Sequence, residues 1–91
     1  MTSEPYRVAF SGTARRNLSE DVPRSVAEAA LSLIFDGIAH NPHRRGRELS
    51  PPLVGVWKAN TGTYRVLYVI DEQAHVVQIV RVVHRRDAYR R

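Results

Sequence analysis

Three runs rich in β-branched and aromatic residues occupy most of the second half of the chain, from Val54 to Arg85. Two turn signals separate these runs: one ends in Gly62, and the other consists of the polar residues 71–73. Apolar runs divided by short turns are typical of consecutive β-hairpins. We therefore predict a three-stranded antiparallel meander over residues 54–85.

The first half begins with an alternating pattern and then changes to a helical one. Residues 6–10 alternate and predict a first strand. Ser11 or Thr13 can cap a short helix whose apolar positions recur every four residues. These positions are Ala14, Leu18 and Val22.

A second helix is predicted to begin at Pro23, which suits a first helical turn, with Asp21 near its cap. Its apolar residues form one stripe that can cover a small sheet; they are Val26, Ala30, Leu33, Ile34 and Ile38. The helix is expected to end around residues 37–41, because Pro42 disfavours a helical residue before it. A basic, proline-bracketed loop, residues 43–52, then leads into the meander.

These elements predict an α+β fold in the order β-α-α-β-β-β. Both helices pack on one face of a small antiparallel sheet and leave the other face free. The 91 residues suffice for a single domain, residues 1–91, with a modest core. The chain has no cysteine, no recognisable secretory signal and no long apolar run, so we expect a cytoplasmic protein without disulfides or a thiolate zinc site.

The positive charge is concentrated in the second half. Residues 1–40 carry four arginines and five acids, a net charge of −1, whereas residues 41–91 carry nine arginines, Lys58 and four acids, a net charge of +6. A localised basic field predicts a polyanionic partner, with nucleic acid first and a membrane surface second. Thirteen of the 14 basic residues are arginine, which suits bidentate contacts to phosphate.

Four cations interrupt the meander, and no carboxylate lies inside its predicted strands: Lys58, Arg65, Arg81 and Arg85. If residues 61–62 form the first turn, Lys58 lies directly opposite Arg65 on one face of the sheet. Two such cations would repel each other, so this pairing favours an anion between them. Arg81 and Arg85 share a face by period two, but the second turn does not fix whether Lys58 lies on that face.

Two stretches carry motifs that are informative together: Gly62-x-Tyr64-Arg65-Val66-Leu67-Tyr68 and His84-Arg85-Arg86-Asp87-Ala88-Tyr89-Arg90. Supporting positions are Asn41-Pro42, Gly46 with Leu49, and Gly55-x-Trp57-Lys58. At this spacing the chain resembles the RelE/ParE superfamily of bacterial toxins over nearly its whole length. The resemblance implies a toxin of a type II toxin-antitoxin system. Its RelE branch cleaves messenger RNA, usually on the ribosome, whereas its ParE branch poisons gyrase.

The RelE branch implies roles for individual residues. Arg65 matches the arginine that stabilises the scissile phosphate, and Arg85 matches the arginine at the leaving 5′ oxygen; a structural Arg65 bonded to the C-terminal backbone is the alternative. Lys58 matches the second of two basic residues on its strand, and Tyr89 matches a tyrosine that orients a base. The first basic residue of that pair, the usual general base, is replaced by Val56. The base is therefore unassigned.

RNA cleavage without a metal needs the 2′-hydroxyl to lose its proton while cations stabilise the charged phosphorane. His84 is the first candidate for the base, because imidazole titrates near neutrality. Glu48 is the second, because some members of the superfamily use a carboxylate from this loop. Six further arginines are expected to attract RNA phosphates: Arg44, Arg45, Arg47, Arg81, Arg86 and Arg90.

Other polar and aromatic residues favour structural interpretations. Tyr64 and Tyr68 are expected to pack beneath the helices, and Trp57 to pack in the core or at the sheet edge. His40 and His43 have helical metal-ligand spacing, but no cysteine or acid completes a site, so we interpret them as loop residues.

The sequence therefore predicts a metal-independent endoribonuclease toxin that cleaves messenger RNA in the ribosomal A site by attack of the 2′-hydroxyl. No cofactor is implied. The expected partners are a cognate antitoxin, in a hetero-oligomer, and messenger RNA on the ribosome with its 16S rRNA. The alternatives are a non-enzymatic gyrase inhibitor of the ParE kind and a toxin-like protein that has lost activity, which the replacement at Val56 favours.

Overall fold

The computed structural model describes residues 4–87. Its α-helices are α1 (Gly12–Arg16), α2 (Arg24–Ser32) and α3 (Pro42–Arg45), and the first two continue into π-helical turns, Asn17–Asp21 and Leu33–Ile38. The strands are β1 (Arg7–Phe10), β2 (Arg47–Glu48), β3 (Trp57–Thr61), β4 (Tyr64–Asp71) and β5 (Val76–His84), and a 3-10 turn, Arg85–Asp87, follows β5. Within residues 4–87, no helix has the length and hydrophobicity needed to cross a bilayer.

The five strands form one sheet in the order β1-β5-β4-β3-β2. The predicted α+β class and the predicted order of helices and meander strands are confirmed. Two details differ from the expectation. The sheet is mixed, because β1 runs parallel to β5, from which the helices and strands β2 to β4 separate it in the chain. The predicted loop also contains α3 and the two-residue strand β2, which pairs with β3 at the sheet edge.

The helices cover one face of the sheet and form the core with it. The apolar stripe predicted for the second helix faces this core: Ala30, Ile34 and Ile38 have no exposed surface. They belong to one buried cluster with Val66 and Tyr68 of β4 and with residues of β3 and β5. Each of the two fully buried isoleucine side chains, Ile34 and Ile38, contributes about 1.5–3 kcal/mol to folding.

Ser11 is the residue that caps α1. Its hydroxyl oxygen accepts a hydrogen bond from a backbone N–H of the first turn at 2.9 Å and donates to the carbonyl of Val80 in β5 at 2.7 Å. This cap therefore also ties the helix to the sheet. The second helix begins at Arg24, one residue later than predicted, because Pro23 occupies the N-cap position, without a side-chain hydrogen bond, and Asp21 lies near this cap as predicted.

Asn17, in the π-helical turn after α1, is a polar residue inside the core, with 8% of its surface exposed. Its Oδ1 accepts a hydrogen bond from the backbone N–H of Val82 at 3.0 Å, and its Nδ2 donates to Asp21 at 2.8 Å. A buried amide is tolerated when both of its ends are hydrogen-bonded. This side chain joins the helical layer to β5.

The tight turn between β3 and β4 consists of Gly62 and Thr63, one residue later than predicted. Gly62 has a φ of +60° and occupies the first turn position, where a type II′ turn places its glycine. As a result, Lys58 lies opposite Leu67, and the predicted direct pairing of Lys58 with Arg65 is wrong. The two cations still share a face, because the shift moves the pairing along β4 by two residues.

Candidate functional site

A transverse row of side chains crosses the face of the sheet that the helices leave free. Arg47 of β2 pairs with Lys58 of β3. Lys58 pairs with Leu67 of β4, which pairs in turn with Arg81 of β5. Residues paired across a sheet share a face, and the neighbour of Leu67 along β4, Val66, is buried under the helices. We call Arg47, Lys58, Leu67 and Arg81 the cation row, after its three charged residues. Neighbouring strands lie about 4.8 Å apart, so the row spans about 14 Å.

Arg65 lies on the same face, two residues along β4 from Leu67 and opposite Asn60 of β3. Its side chain is half-buried, and its Nε atom is shielded from solvent. The structure also answers the question that the sequence left open, because Arg81 shares the face of Lys58 and Arg65. Four of the predicted site residues therefore lie on one face of the sheet: Arg47, Lys58, Arg65 and Arg81.

A cavity of about 340 Å³ adjoins one end of the cation row. Its walls are formed by Arg44, Arg45, Gly46, Arg47, Lys58, Ala59 and Asn60, four of them cations and none acidic. We call it the basic cavity. Four positive charges around a concave space create a field that favours an anion of the size of a phosphate. The loop arginines predicted to attract RNA are thus brought next to Lys58.

Tyr68 holds the short helix α3 that carries Arg44 and Arg45. Its hydroxyl donates to the carbonyl of Pro42 at 2.6 Å, and both residues are fully buried. Gly46 directly follows α3, and a Cβ atom at this position would collide with the Tyr68 hydroxyl and lie 2.6 Å from the Lys58 carbonyl oxygen. Burial raises the pKa of Tyr68 to about 12, so the hydroxyl remains a donor at neutral pH.

A second set of contacts joins α3 to the turn between β4 and β5. Nε2 of His43 lies 2.6 Å from a carboxylate oxygen of Glu72, and the His43 ring meets Trp57 edge-on, with centroids 5.3 Å apart. Tyr6 donates to the other Glu72 oxygen at 2.7 Å. This hydrogen bond raises the pKa of Tyr6. His43 is therefore part of a structural network; it lies in α3, so its prediction as a loop residue is wrong. Trp57 packs against the core as expected.

A second cavity, of about 380 Å³, shares Arg47 and Lys58 with the basic cavity. Its other lining residues are Glu48, Leu49, Ser50 and Leu53, and we call it the leucine cavity. Glu48, one of the two candidate bases, is exposed, and its Oε2 accepts a hydrogen bond from the N–H of Gly55 at 2.9 Å. Glu48 therefore borders the same space as Lys58 while it closes the loop that follows β2.

His84, the other candidate base, lies on the helix-covered side of the sheet. It pairs with Tyr64, the two rings meet edge-on with centroids 5.3 Å apart, and its Nδ1 accepts from the N–H of Arg86 at 3.3 Å. A third cavity, of about 330 Å³, is lined by both rings and also by Asn17, Asp21, Val22, Arg81, Val82, Val83 and Asp87. The register thus separates His84 from the face of Lys58 and Arg65.

The remaining predicted site residues lie at or beyond the end of β5. Arg85 begins the 3-10 turn, and its N–H donates to the carbonyl of Thr63 at 2.7 Å. Arg85 and Arg86 are both exposed. Tyr89 and Arg90 lie outside the described residues. Within residues 4–87, no three His, Asp or Glu side chains converge as metal ligands would.

The sequence matches a family of known toxins over most of its length. A family model described as the ParE toxin of the type II toxin-antitoxin system, parDE, matches residues 8–89. The chain belongs to this family. Toxin RelE of Mycobacterium tuberculosis is 40% identical over 86 residues, which cover 94% of this chain and 88% of that protein. Toxin RelG of the same organism is 45% identical over 87 residues, which cover 96% of this chain and 99% of that protein.

Solved structures share the fold of this ParE-family toxin. A chain of the RelBE2 toxin-antitoxin complex from Mycobacterium tuberculosis superposes with a TM-score of 0.83 at 41% identity, over 89% of this chain and 92% of that chain. The archaeal RelE-RelB complex from Pyrococcus horikoshii OT3 contains a chain with a TM-score of 0.69 at 23% identity, over 90% and 97% of the two chains. The predicted resemblance to the RelE/ParE superfamily is confirmed.

The sequence reasoning missed the residues that hold the cations of this ParE-family toxin in place. Tyr68 was expected only to pack in the core, and its hydroxyl bond to Pro42 depends on a contact between residues far apart in the chain. Gly46 is only a motif position in the sequence, because its close approach to the Tyr68 hydroxyl and the Lys58 backbone joins residues far apart in the chain. Leu53 gave no signal, because a single exposed leucine in a proline-rich loop is unremarkable in sequence.

Proposed function

We propose that this ParE-family toxin is a metal-independent endoribonuclease that cleaves messenger RNA in the ribosomal A site. The observation that carries this proposal is the placement of Lys58, Arg65 and Arg81, all partly exposed, on the face that the helices leave uncovered, next to a cavity walled by four cations. A surface of this kind fits the phosphodiester backbone of a single strand, whose successive phosphates are a few ångströms apart. Two relatives are named toxin RelE and toxin RelG, and RNA cleavage is the activity expected of the RelE branch.

In the proposed reaction the 2′-oxygen of one nucleotide forms a bond to the adjacent phosphorus while the bond to the 5′ oxygen of the next nucleotide breaks. The products are a 2′,3′-cyclic phosphate and a 5′-hydroxyl. Arg65 stabilises the negative charge that develops on the non-bridging oxygens, and Lys58 and Arg81 hold the flanking phosphates. Arg85 stabilises or protonates the leaving 5′ oxygen, and Tyr89 orients a base.

Glu48 is the better supported acceptor for the 2′-hydroxyl proton. By register both candidates belong to the helix-covered side, since Glu48 pairs with Trp57 and His84 pairs with Tyr64. At the sheet edge, however, Glu48 borders the leucine cavity together with Lys58. A general base must reach the proton that it removes, so position outweighs the more favourable intrinsic pKa of an imidazole. We therefore propose Glu48 as the base and a supporting role for His84 near the end of β5.

The proposed partners are the ribosome with its message and a cognate antitoxin. The similar chain from RelBE2 of Mycobacterium tuberculosis lies in a toxin-antitoxin complex, which supports a protein partner for this chain. Because the family is named after ParE toxins, inhibition of gyrase without RNA chemistry is the second candidate function.

The test uses three purified proteins: wild type, Arg65→Ala, and the control Arg24→Ala. Arg24 is an exposed arginine of α2 that pairs with Glu28 on the helical side. Each protein is added to ribosomes translating a defined message, and in parallel to a gyrase supercoiling reaction. We expect cleavage inside the reading frame by the wild type and by Arg24→Ala, and a rate lower by about 10²–10³ for Arg65→Ala.

Two outcomes would contradict the proposal. Inhibition of supercoiling without RNA cleavage would favour gyrase as the target. Absence of both effects would mean that the chain keeps the toxin fold without its activity.

A further inference from the structure

The leucine cavity adjoins the basic cavity, and the two share Arg47 and Lys58 in their walls. Their other walls differ: the basic cavity has two more arginines, whereas the leucine cavity has Leu49 and Leu53 together with the Glu48 carboxylate and Ser50. A charged space and a partly apolar space that share their cations match the two halves of a nucleotide, the phosphate and the base. This inference rests on the proposed function, because it concerns the RNA that the basic cavity would hold.

The loop that carries Leu53 is closed by its own hydrogen bonds. The N–H of Leu53 donates to Ser50 at 3.0 Å, and its carbonyl accepts from Val56 at 3.1 Å. The Glu48 carboxylate accepts from Gly55, which has a φ of +96°. A loop tied down in this way loses little further freedom when a ligand binds, so apolar side chains that it exposes can serve as a preformed surface.

Leu53 keeps 42% of its surface exposed at the wall of the cavity, while Leu49, which also lines it, is 8% exposed. Val54, the next residue, is 63% exposed and does not line the cavity. The apolar surface that remains accessible in the cavity therefore comes chiefly from Leu53. Exposed apolar surface next to cations fits an amphipathic ligand with a flat apolar face and an adjoining negative charge.

We propose that the leucine cavity is a nucleobase subsite. Leu53 and Leu49 contact the face of one base, and Arg47 and Lys58 hold the phosphate attached to the same nucleotide. Unstacked bases of single-stranded RNA are commonly held by aromatic or arginine side chains beside a basic backbone channel, and bases flipped into a pocket also contact apolar side chains. At about 380 Å³ the space lies within the usual size range of small-ligand sites. The shared cations favour a nucleotide over an uncharged apolar side chain of a protein partner.

The test measures binding of the full chain to ribosomes programmed with a message whose A-site codon is 2′-O-methylated, so that no cleavage occurs. In three further messages, each base of that codon in turn is replaced by an abasic nucleotide. The proteins are wild type, Leu53→Ser and the matched control Val54→Ser. Both substitutions change exposed residues, so both variants are expected to fold.

For the wild type and for Val54→Ser, we expect one abasic position to weaken binding by about five- to tenfold. For Leu53→Ser, binding to the complete codon weakens by a similar factor, and the penalty at that abasic position disappears. Loss of the penalty identifies a contact between Leu53 and that base, which a merely structural effect of the substitution would not produce.

If none of the abasic positions weakens binding of the wild type, the proposed nucleobase subsite is refuted, but the proposed function is not. Equal behaviour of Leu53→Ser and Val54→Ser would refute the subsite as well. If Leu53→Ser leaves ribosome binding unchanged but weakens binding of a cognate antitoxin, the cavity belongs to a protein partner. No binding of the wild type to any programmed ribosome would contradict the proposed function itself.

Discussion

Tyr68→Phe removes one oxygen atom from the core and tests how α3 is held against the sheet. The hydroxyl donates to the Pro42 carbonyl at 2.6 Å, and neither residue has exposed surface. The phenylalanine ring keeps the packing of the tyrosine ring, including its stacking on Trp57 with centroids 6.4 Å apart. The substitution therefore changes a hydrogen bond and leaves the shape of the core nearly unchanged.

The expected loss follows from the buried carbonyl that remains. Without the hydroxyl, the Pro42 oxygen loses this donor in a buried position, which costs about 1–3 kcal/mol of unfolding free energy. For a domain of this size, the melting temperature should fall by about 5–15 °C. Because α3 carries Arg44 and Arg45, we also expect weaker RNA binding by the folded protein.

The measurement is urea unfolding at neutral pH of the wild type, Tyr68→Phe and the control Tyr64→Phe. Tyr64 lies on the same strand, half-buried against His84. We expect the control to stay within about 0.5 kcal/mol of the wild type and the urea dependence to be the same for all three proteins. If Tyr68→Phe is as stable as the control, the hydroxyl does not hold α3 and the reasoning is refuted.

The same residue predicts a pH dependence. Burial raises the pKa of Tyr68 to about 12 in the folded protein, whereas an unfolded tyrosine titrates near pH 10. Below about pH 10 both states keep the proton and the contribution to stability is complete. Between about pH 10 and 12 only the unfolded chain loses its proton, so the folded state is destabilised by about 1.4 kcal/mol per pH unit.

This pH effect is measured as the difference in unfolding free energy between the wild type and Tyr68→Phe. Other tyrosines and the lysine titrate in both proteins and cancel. The stability advantage of the wild type should shrink as the pH rises from 9 to about 11.5. A difference that stays constant over this range would contradict the assigned pKa.

Three further substitutions test the architecture and the site. Gly46→Ala should lower stability by about 2–4 kcal/mol in urea unfolding, because its Cβ meets a buried hydroxyl and a backbone oxygen, whereas Gly12→Ala, with nothing within 4 Å, should be neutral or stabilising. Asn17→Ala should cost about 1–3 kcal/mol and speed hydrogen exchange of the β5 amide to which its oxygen is bonded; unchanged exchange would contradict that bond. In the ribosome assay, Glu48→Gln should slow cleavage about 10²-fold or more and His84→Gln less than tenfold; the reverse order would reassign the base.

Local pattern predicted most of the fold. The apolar stripe of the second helix and the apolar alternation of the last two strands each extend over several repeats, so one residue that breaks the pattern does not obscure it. The β3–β4 register was missed because Thr61-Gly62 and Gly62-Thr63 are both plausible two-residue turns, and the choice between them depends on the φ of Gly62. The parallel pairing of β1 with β5 joins residues about 70 positions apart, and nothing local encodes it.

The candidate site was predictable where period two applies and not where contacts are distant. Arg65 and Arg81 were identified from the strands themselves. The place of Arg47 in the cation row could not be predicted, because β2 has only two residues and is too short to show an alternating pattern. The positions of Glu48 and Leu53 depend on hydrogen bonds within the loop after β2, and a sequence motif does not record such bonds.

The central claim is that the open face of the sheet cleaves messenger RNA, and mapping of message 5′ ends in cells tests it most directly. Cells express the wild type, the double variant Arg65→Ala, Arg85→Ala, or the control Arg24→Ala. New 5′ ends inside reading frames with the wild type and the control, and none with the double variant, are the predicted result. Growth arrest without new ends in the wild type, or undiminished ends in the double variant, would contradict the account.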